Sequence, residues 1–328
     1  MLTTQAMMAP QPTQDAEENV YRVVERIYKQ HYYTPPNRTK PVAMPLPDLS
    51  KVVDFEASHP NLFEIDLKEN QHYIDSLQAY NRECSGLDLP PLEQWRVYGL
   101  KGYDGFMYIR RLIAPEQQYY WMERCIKDYP NPPNITNLKA LYGDDAGTDL
   151  WLRRKEPDSM LNKLAWCTLG YQYDWTPRKY HKQQPVAFPP DIASLTTLVA
   201  HATGSGPYLP EAAIVNYYKK DGNMGGHLDN AEYEMKKPIV SISFGCDAIF
   251  LLGGETRAIE PIPLLLRSGD VMIMGGRSRY CYHGIARVMS DNTPEHIKHC
   301  EQEEYKDLCS YMKGRRLNIN TRQVFERE

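Results

Sequence analysis

Near its C-terminus the chain reads Arg316-Leu-Asn318-Ile-Asn320-Thr-Arg322, a stretch in which polar side chains occupy every second position. Successive side chains of a β-strand point to opposite faces, so this spacing places two guanidinium groups and two amides on one face. A solvated strand face favours long side chains of mixed charge instead. Arginine binds carboxylates through two parallel hydrogen bonds and keeps its charge when buried. The stretch therefore predicts a strand that binds a dicarboxylate, and 2-oxoglutarate is a compound of that kind.

A second pattern, farther upstream, has the composition of a metal site: His227-Leu-Asp229 and, on a later segment, His283. Positions i and i+2 of a strand share a face, so His227 and Asp229 can reach the same ion. Two histidines and one carboxylate hold Fe(II) in non-haem oxygenases and leave positions open for co-substrates. The bare motif also fits a structural histidine beside a surface carboxylate, but Gly225 and Gly226 before it and the strands after it favour a metal. We therefore expect Fe(II), 2-oxoglutarate and O2 at one site.

The triplet Asn216-Tyr-Tyr218 lies on the predicted strand just before the histidine motif. Asn216 and Tyr218 share a face of that strand and could hydrogen-bond a carboxylate of the co-substrate. Such a triplet is also typical of core packing, so both interpretations remain open.

Short strands dominate the sequence from residue 211 onward, with turn signals such as Ser268-Gly269 between them. Eight strands of this length predict a double-stranded β-helix, or jelly roll, and the helices upstream make the fold class α+β. The predicted strands cover residues 213–219, 226–229, 239–245, 248–253, 263–267, 270–275, 280–286 and 316–324.

One insertion, residues 293–314, interrupts these strands and has helical start and stop signals. His296 and His299 stand three apart on it and could bind a metal. Such a pair is more often a solvated helix face, so both interpretations remain open.

The rest of the chain divides into two further segments. Residues 1–95 form an N-terminal extension with a helix predicted at 19–31 and a proline-rich linker at 34–48. Residues 96–203 carry helices predicted at 115–127 and 190–202, each starting with a proline at its first turn. The jelly roll itself is expected over residues 204–328.

Composition narrows the class of protein. A hydrophobic content of 42% and a charged content of 24% are those of an ordinary folded protein, and the net charge of −4 gives no general attraction to nucleic acid. A local basic stretch at residues 151–182 is the exception. Seven scattered cysteines without CxxC spacing fit a reducing compartment, and no uncharged apolar run approaches the ~20 residues of a membrane span. We expect a monomer that does not enter membranes.

Several longer motifs carry a family resemblance. Asn216-Tyr-Tyr, His227-Leu-Asp229, His283 and Arg316-x-Asn318-x-x-x-Arg322 together resemble the AlkB family of Fe(II)/2-oxoglutarate nucleic-acid dioxygenases. The stretches Ser241-Ile-Ser-Phe-Gly-Cys-Asp, Ser268-Gly-Asp-Val-Met-Ile-Met and Trp166-Cys-Thr-Leu-Gly-Tyr-Gln are similar to its AlkB homologue 1 branch. The resemblance covers roughly residues 95–328. It implies that residues 96–203 contain a mixed α/β nucleotide-recognition lid.

The resemblance also implies a substrate. Relatives of this kind demethylate or oxidise methylated bases, so the expected partner is methylated tRNA or DNA carrying N1-methyladenosine, 5-methylcytosine or N6-methyladenine in an unpaired or flipped base. Tyr171, Tyr173 and Trp175 then become candidates for stacking on that base, with core packing as the alternative. The chain departs from the family at Asn320, where threonine is usual, and at Ala231, where bacterial members have an acid that helps select the base. Base preference is therefore not transferred from the bacterial enzymes.

Two other functions remain open at this point. An iron/2-oxoglutarate oxygenase could act on a protein side chain, for example in a histone, or the fold could serve as a catalytically silent binding module.

The N-terminal nineteen residues contain no Arg or Lys and therefore lack the signature of a transit peptide. We expect the nucleus and/or the cytoplasm, and the family resemblance adds the mitochondrion.

Overall fold

The computed structural model describes residues 19–29, 32–33, 36, 39–40, 42–85, 89–143, 148–174 and 177–327. Residues 1–18 and several positions of the expected proline-rich linker lie outside this part of the chain. Within it, no helix combines the length and apolar character needed to cross a bilayer. The helices are α1 (Val20–Tyr28), α2 (Gln71–Ser85), α3 (Pro115–Glu123), α4 (Asn137–Tyr142), α5 (Pro190–Ala202), α6 (Glu295–Lys298) and α7 (Lys306–Met312).

The strands form most of the second half of the chain. They are β1 (Tyr32–Tyr33), β2 (Val42–Ala43), β3 (Leu62–Glu64), β4 (Arg96–Leu100), β5 (Phe106–Arg110), β6 (Ile135–Thr136), β7 (Trp166–Asp174), β8 (Lys179–Pro185), β9 (Ala212–Tyr218), β10 (Met224–His227), β11 (Ile239–Gly245), β12 (Ala248–Leu252), β13 (Ile262–Leu266), β14 (Val271–Met274), β15 (His283–Val288) and β16 (Arg316–Arg322).

Two antiparallel sheets build the double-layered fold. The larger sheet has the order β3-β4-β5-β14-β11-β16-β9-β7-β6, with β8 paired to β7, and the smaller has the order β10-β15-β12-β13. Apolar side chains from both sheets, among them Phe250, Leu264 and Met272, meet in one buried cluster between them. A second cluster packs α2, α3 and α5 against the other side of the larger sheet. The predicted α+β jelly roll is confirmed.

Strand β16 behaves as its alternating sequence predicts. It lies between β9 and β11 in the larger sheet, and Arg316 pairs with Tyr218 in register. Leu317 and Ile319 are buried in the helix-side core. Asn318, Asn320 and Arg322 face the space between the sheets, where they line a cavity.

Several details differ from the sequence expectations. Strand β10 ends at His227, so Asp229 lies in the following loop and not on the strand, as the 226–229 prediction required. The 115–127 helix is regular only to Glu123 and continues as a wider turn to Asp128. The 293–314 insertion forms two short helices, α6 and α7.

The larger sheet crosses the boundaries expected at residues 95 and 203. Strand β3 comes from the N-terminal extension and β4, β5 and β7 come from the middle segment, yet all join the sheet that contains β16. Helix α1 packs through Tyr21 and Val24 against residues of β12 and β15. The three-segment division stays a prediction, but the segments are not separate layers.

Candidate metal and co-substrate site

Three side chains meet at the edge of the smaller sheet. His227 ends β10, His283 begins β15, and the two residues are paired across the strands. The Nε2 atom of His227 lies 3.6 Å from Oδ1 of Asp229, and the Nε2 atom of His283 lies 3.9 Å from Oδ2. Their ligand atoms all lie within 4.8 Å of one another. This group could hold one metal ion, and no second group of three such ligands occurs in the described part of the chain.

Both imidazole rings are oriented by backbone carbonyls. The Nδ1 atom of His227 lies 3.0 Å from the Gly225 carbonyl oxygen, and that of His283 lies 3.0 Å from the Cys281 carbonyl oxygen. A carbonyl only accepts hydrogen bonds, so each Nδ1 carries the proton and donates it. Each Nε2 is then a lone-pair donor directed to the metal position, which is the usual arrangement of histidine ligands.

Helix α1 holds the strand that carries His227. The Glu25 carboxylate accepts a hydrogen bond from the backbone N–H of Gly226 at 3.2 Å. The Tyr21 ring lies so close to Gly226 that a Cβ at this position would approach it to 2.2 Å. Only glycine therefore allows the helix to pack on the strand one residue before the first ligand.

The electrostatics favour the metal-binding protonation states. Burial, followed by the nearby His227 ring, lowers the pKa of His283 to about 4, so this imidazole is neutral at neutral pH. Burial alone would raise the pKa of Asp229, but Arg322 and the two histidines outweigh it and hold that pKa well below its usual range. A neutral imidazole and an ionised carboxylate are the forms that bind metal ions.

A buried ion-pair network supports Asp229 from behind. Arg322 lies 3.3 Å from the Asp229 carboxylate and donates to Glu232 at 2.9 Å. Arg279 donates to the Asp229 backbone carbonyl and, at 2.7 Å, to the other oxygen of Glu232. Sequence reasoning missed Glu232 and Arg279, although the position of Glu232 three residues after Asp229 was a signal that it could lie near the site.

A cavity of about 490 Å³ opens between the sheets beside the three ligands. Five of the six residues expected to bind the co-substrate line it, namely Asn216, Tyr218, Asn318, Asn320 and Arg322. The side-chain amide of Asn318 donates to the Ser241 hydroxyl at 2.8 Å and to the Ile242 carbonyl at 3.1 Å, which fixes its orientation.

Arg316, the sixth expected residue, is fully buried and is not part of the cavity wall. It donates to the Cys246 carbonyl at 3.1 Å and to the Ser243 hydroxyl at 2.6 Å, while its buried Nε has no partner. No carboxylate of the described residues forms an ion pair with it, and burial lowers its pKa. Asp247 and Asp270 oppose this shift only from beyond ion-pair distance, and a buried charged group without a counter-charge in contact is costly. An anionic ligand end beside Tyr218 would supply that charge, so the donor set fits a dicarboxylate.

The three candidate stacking residues have different surroundings. Tyr173 lines the cavity, and its ring centroid lies 5.2 Å from that of Tyr180. Tyr171 does not line it; its ring packs edge-on against Phe325 at 4.7 Å. Trp175 lies outside the described residues. The β7–β8 hairpin therefore brings Tyr173, but not Tyr171, to the cavity.

The basic stretch at residues 151–182 does not form one open surface. Arg153 pairs with Glu156 at 2.8 Å, and Arg154 pairs with Asp307 while its guanidinium lies over the Trp151 ring. The part of the stretch that reaches the cavity is the β7–β8 hairpin, where Arg178 lines the cavity wall. Fewer cations are therefore available to a nucleic acid than the sequence count indicated.

The histidines of the insertion do not come together as a ligand set. His299 is exposed and pairs with Glu295 at 3.5 Å. His296 is half-buried, and its ring lies edge-on to Tyr119 at 5.6 Å. Within the described residues, neither belongs to a group that could hold a metal ion.

Comparison with known proteins matches this arrangement to a family. Residues 105–322, which include every ligand candidate described above, match the family described as the 2OG-Fe(II) oxygenase superfamily. The chain is 34% identical to a Homo sapiens protein named nucleic acid dioxygenase ALKBH1, over 97% of this chain and 86% of that protein. It is 32% identical to the Arabidopsis thaliana DNA N(6)-methyladenine demethylase ALKBH1A, over 95% and 97% of the two chains. It is 28% identical to the Schizosaccharomyces pombe tRNA demethylase abh1, over 94% and 96%.

Proposed function

Because the chain belongs to the 2OG-Fe(II) oxygenase superfamily and, within it, to the AlkB homologue 1 branch of the AlkB family, we propose that it oxidises methylated bases in nucleic acid. The co-substrates are 2-oxoglutarate and O2, and the metal is Fe(II). The observation that carries this proposal is the meeting of His227, Asp229 and His283 at one end of a cavity whose walls also carry Arg322 and Asn318.

Different residues would bind the metal and the co-substrate. His227, Asp229 and His283 would hold Fe(II) and leave the remaining positions open. Asn216, Tyr218, Asn318 and Asn320 line the cavity and would orient 2-oxoglutarate. Arg316, buried next to Tyr218 outside the cavity wall, would neutralise the distal carboxylate. Arg322 keeps the Asp229 carboxylate ionised, so this ligand does not need to lose a proton when the metal enters.

Fe(II) and 2-oxoglutarate, when bound, supply an oxidant made from O2 that hydroxylates a carbon–hydrogen bond. The chain contributes position and a partly enclosed apolar cavity, with Phe250, Leu266 and Met272 among its walls. Hydroxylation of an N-linked methyl group yields an N-hydroxymethyl group, which leaves as formaldehyde and restores the unmethylated base. A methyl group on carbon, as in 5-methylcytosine, is oxidised and stays attached.

Two residues of the cavity wall favour nucleic acid over a protein side chain as the substrate. Tyr173 and Arg178 both line the cavity, and an aromatic ring beside a cation suits a base and its phosphate. The names of the relatives point the same way, since they include a DNA N(6)-methyladenine demethylase and a tRNA demethylase. The base must be unpaired or flipped, because a paired base cannot enter a cavity of this kind.

The test is incubation of the iron-loaded protein with three substrates that carry N1-methyladenosine in a tRNA stem-loop, N6-methyladenine in DNA and 5-methylcytosine in RNA. Nucleoside mass spectrometry should show loss or oxidation of at least one methylated base, matched by succinate, and His283→Ala should abolish both. Oxidation of histone peptides with all three nucleic acids untouched would favour the protein-side-chain alternative. Tight nucleic-acid binding with no succinate from any substrate would favour the silent binding module.

A further inference from the structure

A second cavity, of about 570 Å³, adjoins the catalytic cavity, and Tyr180 belongs to the walls of both. Its walls combine two kinds of side chain, basic and aromatic. Besides Tyr180 they include Lys179, His181, Lys182, Tyr233 and Phe325. Apart from Tyr180, these residues do not line the catalytic cavity.

Tyr233 and Phe325 form a fixed aromatic stack in this second cavity. Their ring centroids lie 5.3 Å apart with an interplanar angle of 17°. Phe325 is 5% exposed and Tyr171 packs against its edge, whereas Tyr233 is 56% exposed. The backbone N–H of Tyr233 donates to the Val324 carbonyl at 2.8 Å, which ties the two residues' segments together. Tyr233 therefore presents an open ring face on a rigid support.

The charges around the stack match a nucleotide. The Lys182 ammonium lies 5.0 Å from the centre of the Phe325 ring, and Lys179 and Lys182 are both exposed. Among the described residues of the cavity wall, Glu326 is the one acidic residue. A base offers a flat π-face to an aromatic ring, and its phosphate offers a negative charge to lysine. An aromatic platform beside exposed lysines is the arrangement used to bind single-stranded nucleic acid.

The position of the Tyr233–Phe325 stack indicates which nucleotide of a bound strand would contact it. Tyr233 follows the metal-ligand candidate Asp229 by four residues, so their Cα atoms are at most roughly 14 Å apart. Among the described residues, Tyr180 is the one that lines both cavities. A strand whose methylated base occupies the catalytic cavity would thus bring a neighbouring base to Tyr233.

We propose that Tyr233, supported by Phe325, is a stacking platform for a nucleotide adjacent to the methylated base in single-stranded nucleic acid. Lys179 and Lys182 bind the phosphate of that nucleotide. The inference rests on the proposed function, since it takes the catalytic cavity as the site of the target base.

The test measures the affinity of the full chain for a short single-stranded DNA with one central N6-methyladenine, by fluorescence anisotropy at fixed salt. Tyr233→Ala should weaken binding about fivefold or more, the low end of the range for base–aromatic stacking. Tyr233→Phe should keep most of the affinity, because the ring remains. Tyr73→Ala is the matched control, since Tyr73 is 49% exposed on α2 and lines neither cavity.

Abasic substitutions then identify the stacked nucleotide. Removing the base on one side of the methyladenine should weaken wild-type binding by a similar factor and should have little further effect on Tyr233→Ala. Unchanged affinity of Tyr233→Ala would overturn the inference. So would an abasic substitution, on either side of the methyladenine, that weakens binding by Tyr233→Ala as much as it weakens binding by the wild type. The proposed function is tested by a different result: it is contradicted if the wild-type protein oxidises none of the methylated bases, whatever the binding data show.

Discussion

The guanidinium of Arg322 lies 3.3 Å from the carboxylate of Asp229 and shares the buried carboxylate of Glu232 with Arg279. Glu232 is thus the counter-charge for two arginines that both contact the same metal-ligand candidate. Its side chain is completely buried. Removing one partner of a buried ion pair leaves an uncompensated charge and costs about 3–5 kcal/mol.

The first prediction concerns this network. Glu232→Gln should lower the free energy of unfolding by about 3–5 kcal/mol, because buried Arg279 loses its counter-charge and Arg322 keeps only Asp229. Urea unfolding of the metal-free protein measures it. Glu234→Gln is the control: Glu234 is 9% exposed, accepts a hydrogen bond from the Lys236 backbone and has no arginine partner among the described residues. Equal losses for the two variants would show that Glu232 has no special electrostatic role.

The second prediction concerns the metal. His283→Ala removes one of three ligand candidates. Metal affinity should therefore fall by more than the 10- to 100-fold typical for loss of a residue that only hydrogen-bonds a metal ligand. Succinate production should collapse with it. Anaerobic titration with Fe(II) measures the affinity. His299→Ala, at an exposed position just after α6, should change neither value. Wild-type metal affinity in His283→Ala would remove His283 from the site.

The third prediction concerns the anchor for the co-substrate. A ligand present at 100 times its dissociation constant stabilises the folded state by about 2.7 kcal/mol. Metal-loaded wild-type protein should show this gain with 2-oxoglutarate, and Arg316→Met should show much less at the same concentration. The substitution leaves His227, Asp229 and His283 intact, so metal binding should survive. Arg315→Met, where the guanidinium donates to Asn162 at 2.8 Å, is the matched control. A full 2-oxoglutarate gain in Arg316→Met would exclude the anchor.

The sequence predicted the parts of this site that depend on local spacing. The two-residue period of β16 predicted that Arg316, Asn318, Asn320 and Arg322 share one face. In the structure Asn318, Asn320 and Arg322 line the cavity, Arg316 is buried outside its wall, and Leu317 lies in the core. The same rule was wrong for Asp229, because β10 ends at His227 and the loop, not the strand, brings the carboxylate back. Local periodicity does not reveal where a strand stops pairing.

Relations between distant segments could not be predicted from spacing. Arg279 stands far from Glu232 in the sequence, and only the packing of the two sheets brings them within 2.7 Å. The same holds for α1, whose contact with Gly226 joins the N-terminal extension to the metal strand. The pairing of Arg154 with Asp307 could not be predicted either, and it neutralises one cation of the stretch that the sequence alone indicated to be basic.

The fourth prediction separates the aromatic residues of the lid. Tyr173→Ala should weaken oxidation of a methylated oligonucleotide by roughly 1–3 kcal/mol if its ring stacks on the target base. Slow conversion of 2-oxoglutarate without substrate, which does not involve the lid, should persist. Thermal unfolding checks the alternative, because a drop in melting temperature together with both activities would identify Tyr173 as a packing residue. Tyr171→Ala should show that second pattern, since its ring packs on Phe325.

The fifth prediction concerns substrate structure. Near the cavity, the β7–β8 hairpin supplies Arg178, Lys179 and Lys182, while Arg153 and Arg154 are paired elsewhere. About three neutralised phosphates give a salt dependence with a slope of roughly −2 in log affinity against log salt for a single strand. So few contacts contribute little energy to offset unpairing, which costs a few kcal/mol in a duplex and far less in a loop or bulge.

A stem-loop or bulge that carries the methylated base should therefore react faster than the same base in a matched duplex. Rates are compared at one salt concentration and then across a salt series. The proposed platform at Tyr233 strengthens the argument, because a stacked neighbour must also leave its duplex position. Equal rates on loop and duplex would require an element that opens the duplex, and a slope much steeper than −2 would mean that more cations contact phosphate than the hairpin supplies.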